Sequence, residues 1–67
     1  MSTFGENLKE LRKQRKISQV DFAKCMDTTQ QRVSEWECNK VEPSLYNIIK
    51  ILKILEISFE ELIDAID

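Results

Sequence analysis

The sequence contains no histidine, and its 67 residues include only one glycine, one proline and two cysteines. The missing histidine removes the most common general base and the most common metal ligand. The two thiols, Cys25 and Cys38, are too few for a four-thiolate zinc site, and nothing indicates an oxidising compartment, so we interpret them as free thiols. The sequence therefore predicts a binding protein rather than an enzyme, with no metal and no cofactor.

The chain also lacks long apolar segments. No apolar run approaches the roughly 20 residues of a membrane-spanning helix, and the N-terminal residues lack the basic and apolar pattern of a secretory leader. A length of 67 residues suits one small domain, and 42% apolar with 33% charged residues is typical of soluble globular proteins. We therefore expect a single cytoplasmic domain over residues 1–67 that does not contact a membrane.

Opposite charges are concentrated in different halves of the chain. Residues 1–34 carry seven basic and four acidic side chains, a net charge of +3. Residues 35–67 carry three basic and eight acidic side chains, a net charge of -5. This asymmetry is consistent either with one face that binds a polyanion or with ordinary surface charge.

Apolar residues recur at helical spacing, and the alternation expected of strands is absent from the sequence. The spacing predicts five helices, of which the first spans about 4–15 and the third about 30–38. A hydroxyl side chain stands at the start of each of the second to fifth predicted helices, where it can cap free backbone N–H groups: Ser18, Thr29, Ser44 and Ser58. Glu61 completes a capping box with Ser58. We therefore expect a compact all-α fold.

The third predicted helix has an apolar side and a polar side. At 100° per residue, Val33 and Trp36 lie on the side that faces the core. The other side carries groups that can hydrogen-bond to the edges of nucleic-acid bases: Gln30, Gln31, Ser34 and Glu35. A polar face alone is equally expected of a solvated helix. A short helix that follows another across a tight turn and has an amide-rich face is, however, typical of a helix-turn-helix motif, here at about 18–38.

Several separated motifs in register carry a resemblance to a known family. They are Ser18-Gln19, Ala23, the segment TTQQRVSEWE at 28–37, Pro43-Ser44 and the segment LEISFEEL at 55–62. Over about residues 5–64 the chain resembles the helix-turn-helix family of lambdoid phage repressors and Cro proteins, also called the XRE family. The resemblance implies a five-helix domain and a sequence-specific DNA-binding transcriptional regulator that reads the major groove with its third helix.

The resemblance also implies roles for individual side chains. Base contacts are expected from Thr29, Gln30, Gln31 and Glu35. Phosphate contacts are expected from Gln19, Arg12, Lys13, Arg32, Ser34, Asn39 and Lys40. Arg12 and Glu37 match a partly buried ion pair of the family. In the alternative interpretation, Lys13 is merely solvated and Arg32 pairs with Glu35 or Asp27.

Three positions where the family usually has glycine carry other residues here, namely Asp27, Asn39 and Glu56. A left-handed backbone at such a position costs about 1 kcal/mol relative to glycine. On that ground the substitution Asn39→Gly is expected to raise the melting temperature. Glu35 is a further departure, because it places a carboxylate on the reading face, where it can accept a hydrogen bond from the N4 amino group of a cytosine.

The last predicted helix has more apolar residues than a domain of this size is expected to bury: Phe59, Ile63 and Ile66. A two-fold dimer on a palindromic operator places two reading helices about 34 Å apart. We therefore expect a homodimer built near this helix; alternatively, these residues complete the monomer core. The rival function is an antitoxin-like or adaptor module of the same fold that binds a protein partner.

Overall fold

Five α-helices in the computed structural model account for most of residues 3–63, the part of the chain that the structure describes. They are α1 (Phe4–Gln14), α2 (Gln19–Cys25), α3 (Gln30–Glu37), α4 (Leu45–Leu55) and α5 (Phe59–Ile63). No strand occurs within residues 3–63. The predicted all-α fold with five helices is confirmed, and the first and third helices each end one residue earlier than expected.

The helices begin where hydroxyl side chains accept hydrogen bonds from the first helical turn. The Oγ atoms of Ser18, Thr29 and Ser44 accept from backbone N–H groups three residues on, at 3.1, 3.1 and 3.2 Å. Ser58 accepts from the Glu61 N–H at 3.1 Å, while the Glu61 carboxylate accepts from the Ser58 N–H at 3.1 Å. The predicted caps are therefore confirmed, including the capping box.

The core takes side chains from all five helices. The buried apolar residues are Leu8, Phe22, Ala23, Met26, Val33, Trp36, Ile51, Leu55 and Leu62. Trp36 is only 2% exposed, so the prediction that it faces the core is confirmed. Contacts of α1 with both α3 and α5, and of α2 with α3, place the third helix at one side of the core.

The single glycine lies where α1 meets the end of α3. A Cβ atom at Gly5 would lie 2.6 Å from the Trp36 carbonyl oxygen and would also contact the Glu37 carbonyl oxygen. Only a residue without a side chain permits this approach of two helix backbones. Periodicity does not reveal the contact, which fixes the C-terminal end of α3 against the first turn of α1.

Four non-glycine residues in the described part of the chain have a left-handed backbone. Asp27, Asn39 and Glu56 have φ angles of 57°, 62° and 55°, as expected from the positions where the family usually has glycine. Lys16, with φ 58° in the turn between α1 and α2, was not predicted. Each of these residues therefore carries a backbone cost that glycine would not.

The structure changes the expectation for Asn39. Its Oδ1 accepts a hydrogen bond from the Gly5 N–H at 2.9 Å, and its Nδ2 donates to Thr3 Oγ1 at 2.7 Å. Asn39 thus satisfies one of the free N–H groups at the start of α1. Removing this side chain loses two hydrogen bonds that stabilise the fold by about 1 kcal/mol each. This loss exceeds the stabilisation of about 1 kcal/mol that glycine would bring at a left-handed position.

Glu56→Gly is expected to raise the melting temperature. Among residues 3–63, the Glu56 side chain makes only an exposed ion pair with Arg15 at 3.6 Å, which contributes little. Relief of the left-handed backbone should stabilise the fold by about 0.5–1 kcal/mol, or about 2–8 °C for a domain of this size. Thermal unfolding followed by circular dichroism measures the shift, and a lower melting temperature would contradict the strain argument.

Asn39→Gly is the control that relieves the same strain but removes the hydrogen bonds of Asn39 with Gly5 and Thr3 at the start of α1. We now expect it to lower the melting temperature, in place of the rise expected from sequence alone. Asn39→Asp keeps an acceptor for the Gly5 N–H and should stay closer to the unchanged protein. If Asn39→Gly and Glu56→Gly raised the melting temperature equally, the two hydrogen bonds of Asn39 would contribute nothing.

Candidate nucleic-acid interface

The turn between α2 and α3 is short and held from two sides. The Thr28 N–H donates to the Ala23 carbonyl at 2.9 Å, and the left-handed Asp27 lets the chain reverse. From α4, Lys50 Nζ donates to the Met26 carbonyl at 2.9 Å. A helix-turn-helix arrangement is therefore present at the predicted position, with the turn attached to the core through Lys50.

The surface of α3 divides as the helical angles predict. Val33, Trp36 and Glu37 are buried. The opposite side is open: Thr29, Gln30, Gln31 and Arg32 are exposed, whereas Ser34 and Glu35 are half-buried. The four residues expected to contact bases are thus all located on the accessible side of α3 or at its N-terminus.

A buried ion pair joins α1 to α3. Arg12 Nε lies 2.7 Å from Glu37 Oε2, and a second Arg12 nitrogen donates to Glu37 Oε1 at 3.1 Å. The third guanidinium nitrogen donates to the Ile17 carbonyl at 2.6 Å, in the turn before α2. The expected ion pair is confirmed. This buried guanidinium has its three nitrogens engaged inside the protein, which argues against the phosphate contact expected of Arg12.

Two glutamine amides continue from this ion pair to the open side of α3. Gln19 Nε2 donates to Glu37 Oε1 at 3.0 Å, and Gln30 Nε2 donates to Gln19 Oε1 at 3.4 Å. The orientation of Gln30 is therefore set by a chain of hydrogen bonds that starts in the core, and its own Oε1 points away from the bonded nitrogen. Gln19 and Gln30 were expected to contact phosphate and base separately. The hydrogen bond between them was not predicted from the sequence, because it depends on how α2 and α3 pack.

Three of the cations expected at phosphates have exposed side chains. Lys13 and Lys40 are exposed, and Arg32 Nε lies 3.8 Å from Glu35 Oε1. The pair of Arg32 with Glu35 was one of the alternatives left open by the sequence. The backbone N–H groups of Asn39 and Lys40 donate to carbonyls of α3 at 3.2 and 2.9 Å. The Lys40 side chain is exposed, and the phosphate contacts expected of Asn39 and Lys40 stay predictions.

The remaining features do not indicate other chemistry within residues 3–63. The structure shows no group of three or more potential metal ligands among them. In the same range no helix is long and apolar enough to cross a membrane. Cys25 and Cys38 are free and exposed, as interpreted from the sequence.

Comparisons with known proteins agree with this geometry. A family model described as helix-turn-helix matches residues 8–62. The uncharacterised HTH-type transcriptional regulator YqaE of Bacillus subtilis (strain 168) is 35% identical over 60 residues, which cover 90% of this chain and 52% of the relative. The chain therefore spans about half the length of that curated relative.

A solved structure matches the fold closely. The crystal structure of the P22 c2 repressor protein in complex with a synthetic operator aligns with a TM-score of 0.85. The alignment covers 92% of this chain and 94% of the repressor chain, at 29% sequence identity. The order of the helices and their arrangement in space thus agree with those of a repressor that was crystallised in complex with its operator.

Glu37→Gln is expected to destabilise the fold by about 3 kcal/mol, because it leaves the buried Arg12 charge without a counterion. Urea unfolding measures the loss. Glu35→Gln is the matched control, since it makes the same change on the open side of α3 and should alter stability by about 0.5 kcal/mol or less. Equal losses for the two variants would contradict the importance of burial.

Proposed function

We propose that this chain, which belongs to the helix-turn-helix family, is the sequence-specific DNA-binding domain of a transcriptional regulator. The family and the fold are those of DNA-binding regulators, which are not enzymes. One observation carries the proposal: the amides of Gln19 and Gln30 are aligned by hydrogen bonds to a buried ion pair, at the exposed N-terminal end of α3. Polar groups held in place before binding lose little freedom when they pair with bases.

In this proposal, the open side of α3 lies in the major groove and its side chains contact the bases. Gln30 and Gln31 each offer an amide donor and acceptor, the pattern that matches adenine N7 and N6. Thr29 brings a methyl group that can contact a thymine methyl, and Glu35 brings an acceptor for the N4 amino group of cytosine. All four residues lie within two turns of helix, so they can address neighbouring base pairs.

Phosphate contacts position this surface on the duplex. The exposed side chains of Lys13 and Lys40 supply charge, and Gln19 at the start of α2 and Ser34 within α3 supply hydrogen-bonding groups. Arg12 is excluded from this set by its burial. Because neutralised phosphates release counterions, the affinity should fall steeply as the salt concentration rises.

Selection from random double-stranded DNA at physiological salt tests the proposal. We expect enrichment of one half-site sequence, and we expect Gln30→Ala and Gln31→Ala each to weaken binding to it by about 5- to 150-fold, the usual value of a good base contact. Their affinity for unrelated DNA should change little. Titrations monitored by fluorescence anisotropy provide both affinities.

Gln14→Ala is the matched control, because Gln14 is an exposed glutamine of α1 that lies outside the motif. It should leave the affinity for the selected site unchanged. Absence of any enriched sequence, or equal effects of the Gln14 and Gln30 variants, would overturn the proposed reading of DNA by α3.

We further propose that the chain acts as a homodimer on a palindromic operator. Phe59 and Ile63 are 50% and 37% exposed on α5, whereas Leu62 of the same helix is buried. This exposure argues against the alternative in which both residues complete the monomer core. Ile66, the third residue expected at the interface, lies outside the described residues. Two copies joined along α5 would present two α3 helices to half-sites about one helical turn apart.

Phe59→Glu is expected to shift the protein to monomer in sedimentation equilibrium, since a two-fold contact would bring two added carboxylates together. Val20→Glu is the control: Val20 is 44% exposed and occupies the first turn of α2, as Phe59 occupies that of α5. It should leave the association unchanged. A chain that is monomeric before any substitution, with and without DNA at high micromolar concentration, would contradict the dimer.

A protein-interaction module remains the second candidate because α4 also has an unoccupied apolar surface. Leu45, Tyr46 and Ile49 are exposed there. Nearby, Ile48 lines an open cavity of about 220 Å³ together with Phe4, Glu42 and Pro43. If the selection enriched no DNA sequence, this surface would become the first place to search for a protein partner.

A further inference from the structure

Arg32 and Glu35 form an ion pair at the border of the reading face. They are three residues apart on α3, and Arg32 Nε lies 3.8 Å from Glu35 Oε1. The Arg32 side chain is 52% exposed and that of Glu35 is 31% exposed, so both remain accessible to a ligand on this side of the helix. Arg32 therefore has two possible partners in a DNA complex, the carboxylate beside it or a phosphate.

A carboxylate on this face has an unfavourable interaction with the duplex unless its charge is balanced. DNA presents one negative charge for about every 1.7 Å of its axis, and an unpaired Glu35 would be held close to it. The guanidinium of Arg32 balances this charge next to Oε1. Among the described residues, no side chain donates a hydrogen bond to Glu35 Oε2, so this oxygen is available to an amino group of a base.

We propose that Arg32 determines specificity through Glu35. Its guanidinium stays beside the carboxylate in the DNA complex, cancels the charge and orients the side chain so that the second oxygen accepts from the N4 amino group of a cytosine. This inference rests on the proposed function, because it concerns the base position that Glu35 reads. Arg32 is then a positioning residue, in contrast to the phosphate contact first expected of it.

The two partners of Arg32 have different consequences for binding. A phosphate contact carries no sequence information, so its loss weakens binding to every site equally and lowers the salt slope by about 1. A contact that orients Glu35 changes the preference for one base pair. The decisive quantity is therefore the discrimination ratio, which is the Kd for a site with the cytosine replaced divided by the Kd for the selected site.

The test uses the selected operator and a copy altered in both half-sites at the position whose preference Glu35→Gln relaxes. The unchanged protein should discriminate by about 5- to 150-fold. Arg32→Gln should lower this ratio by about twofold or more, whereas Arg32→Lys, which keeps the charge, should lower it less. In the Glu35→Gln background, Arg32→Gln should leave the ratio unchanged, since no carboxylate remains to be oriented.

Partial unfolding of a variant does not disturb this measurement, because it raises both apparent Kd values by the same factor. An Arg32→Gln protein that keeps the full ratio while losing affinity for both sites would overturn the inference and assign Arg32 to a phosphate. A selected site at which Glu35→Gln relaxes no position would overturn it as well, while leaving sequence-specific binding intact. Failure to select any sequence would instead overturn the proposed function itself.

Discussion

The buried ion pair between Arg12 and Glu37 is the interaction on which the rest of the structure depends. Both side chains are removed from water, and a charge in such a place must be paired to be tolerated. The pair crosses from α1 to α3, while Arg12 also donates to the Ile17 carbonyl in the turn before α2. Gln19 of α2 then donates to the same carboxylate. One carboxylate thus fixes the relative positions of the three helices that carry the interface.

The single glycine is located where the penalty for a side chain is largest. At Gly5 a Cβ atom would collide with backbone carbonyls of α3, and a backbone cannot move aside as a side chain can. At Asp27, Asn39 and Glu56 the left-handed backbone costs about 1 kcal/mol each, which a folded domain can tolerate. The chain keeps glycine at the steric contact and accepts strain at its turns, with Asn39 offsetting its own strain by capping α1.

The one-dimensional pattern of the sequence predicts the helices and their faces well, because both depend on near neighbours in the chain. Ser18, Thr29, Ser44 and Ser58 cap helices as expected, and helical angles place Trp36 in the core. Contacts between helices cannot be predicted in the same way. The bond from Gln30 to Gln19 and the bond from Lys50 to the Met26 carbonyl depend on packing that spacing does not encode. The bond from Arg12 to the Ile17 carbonyl depends on the same packing; it argues against the phosphate contact expected of Arg12, which stays a prediction.

A net charge of -2 does not oppose DNA binding in this fold, because both carboxylates of the reading helix are neutralised locally. Glu37 is paired with Arg12, and Glu35 with Arg32, so both carboxylates of α3 have an arginine beside them. Other acidic side chains, such as Glu60 and Glu61, belong to α5, which contacts α1. At physiological salt the field of an exposed charge decays over about 8 Å, so the potential at α3 is set by its immediate neighbours. The overall charge of a small domain therefore says less about its partner than the pairing of the charges on one helix.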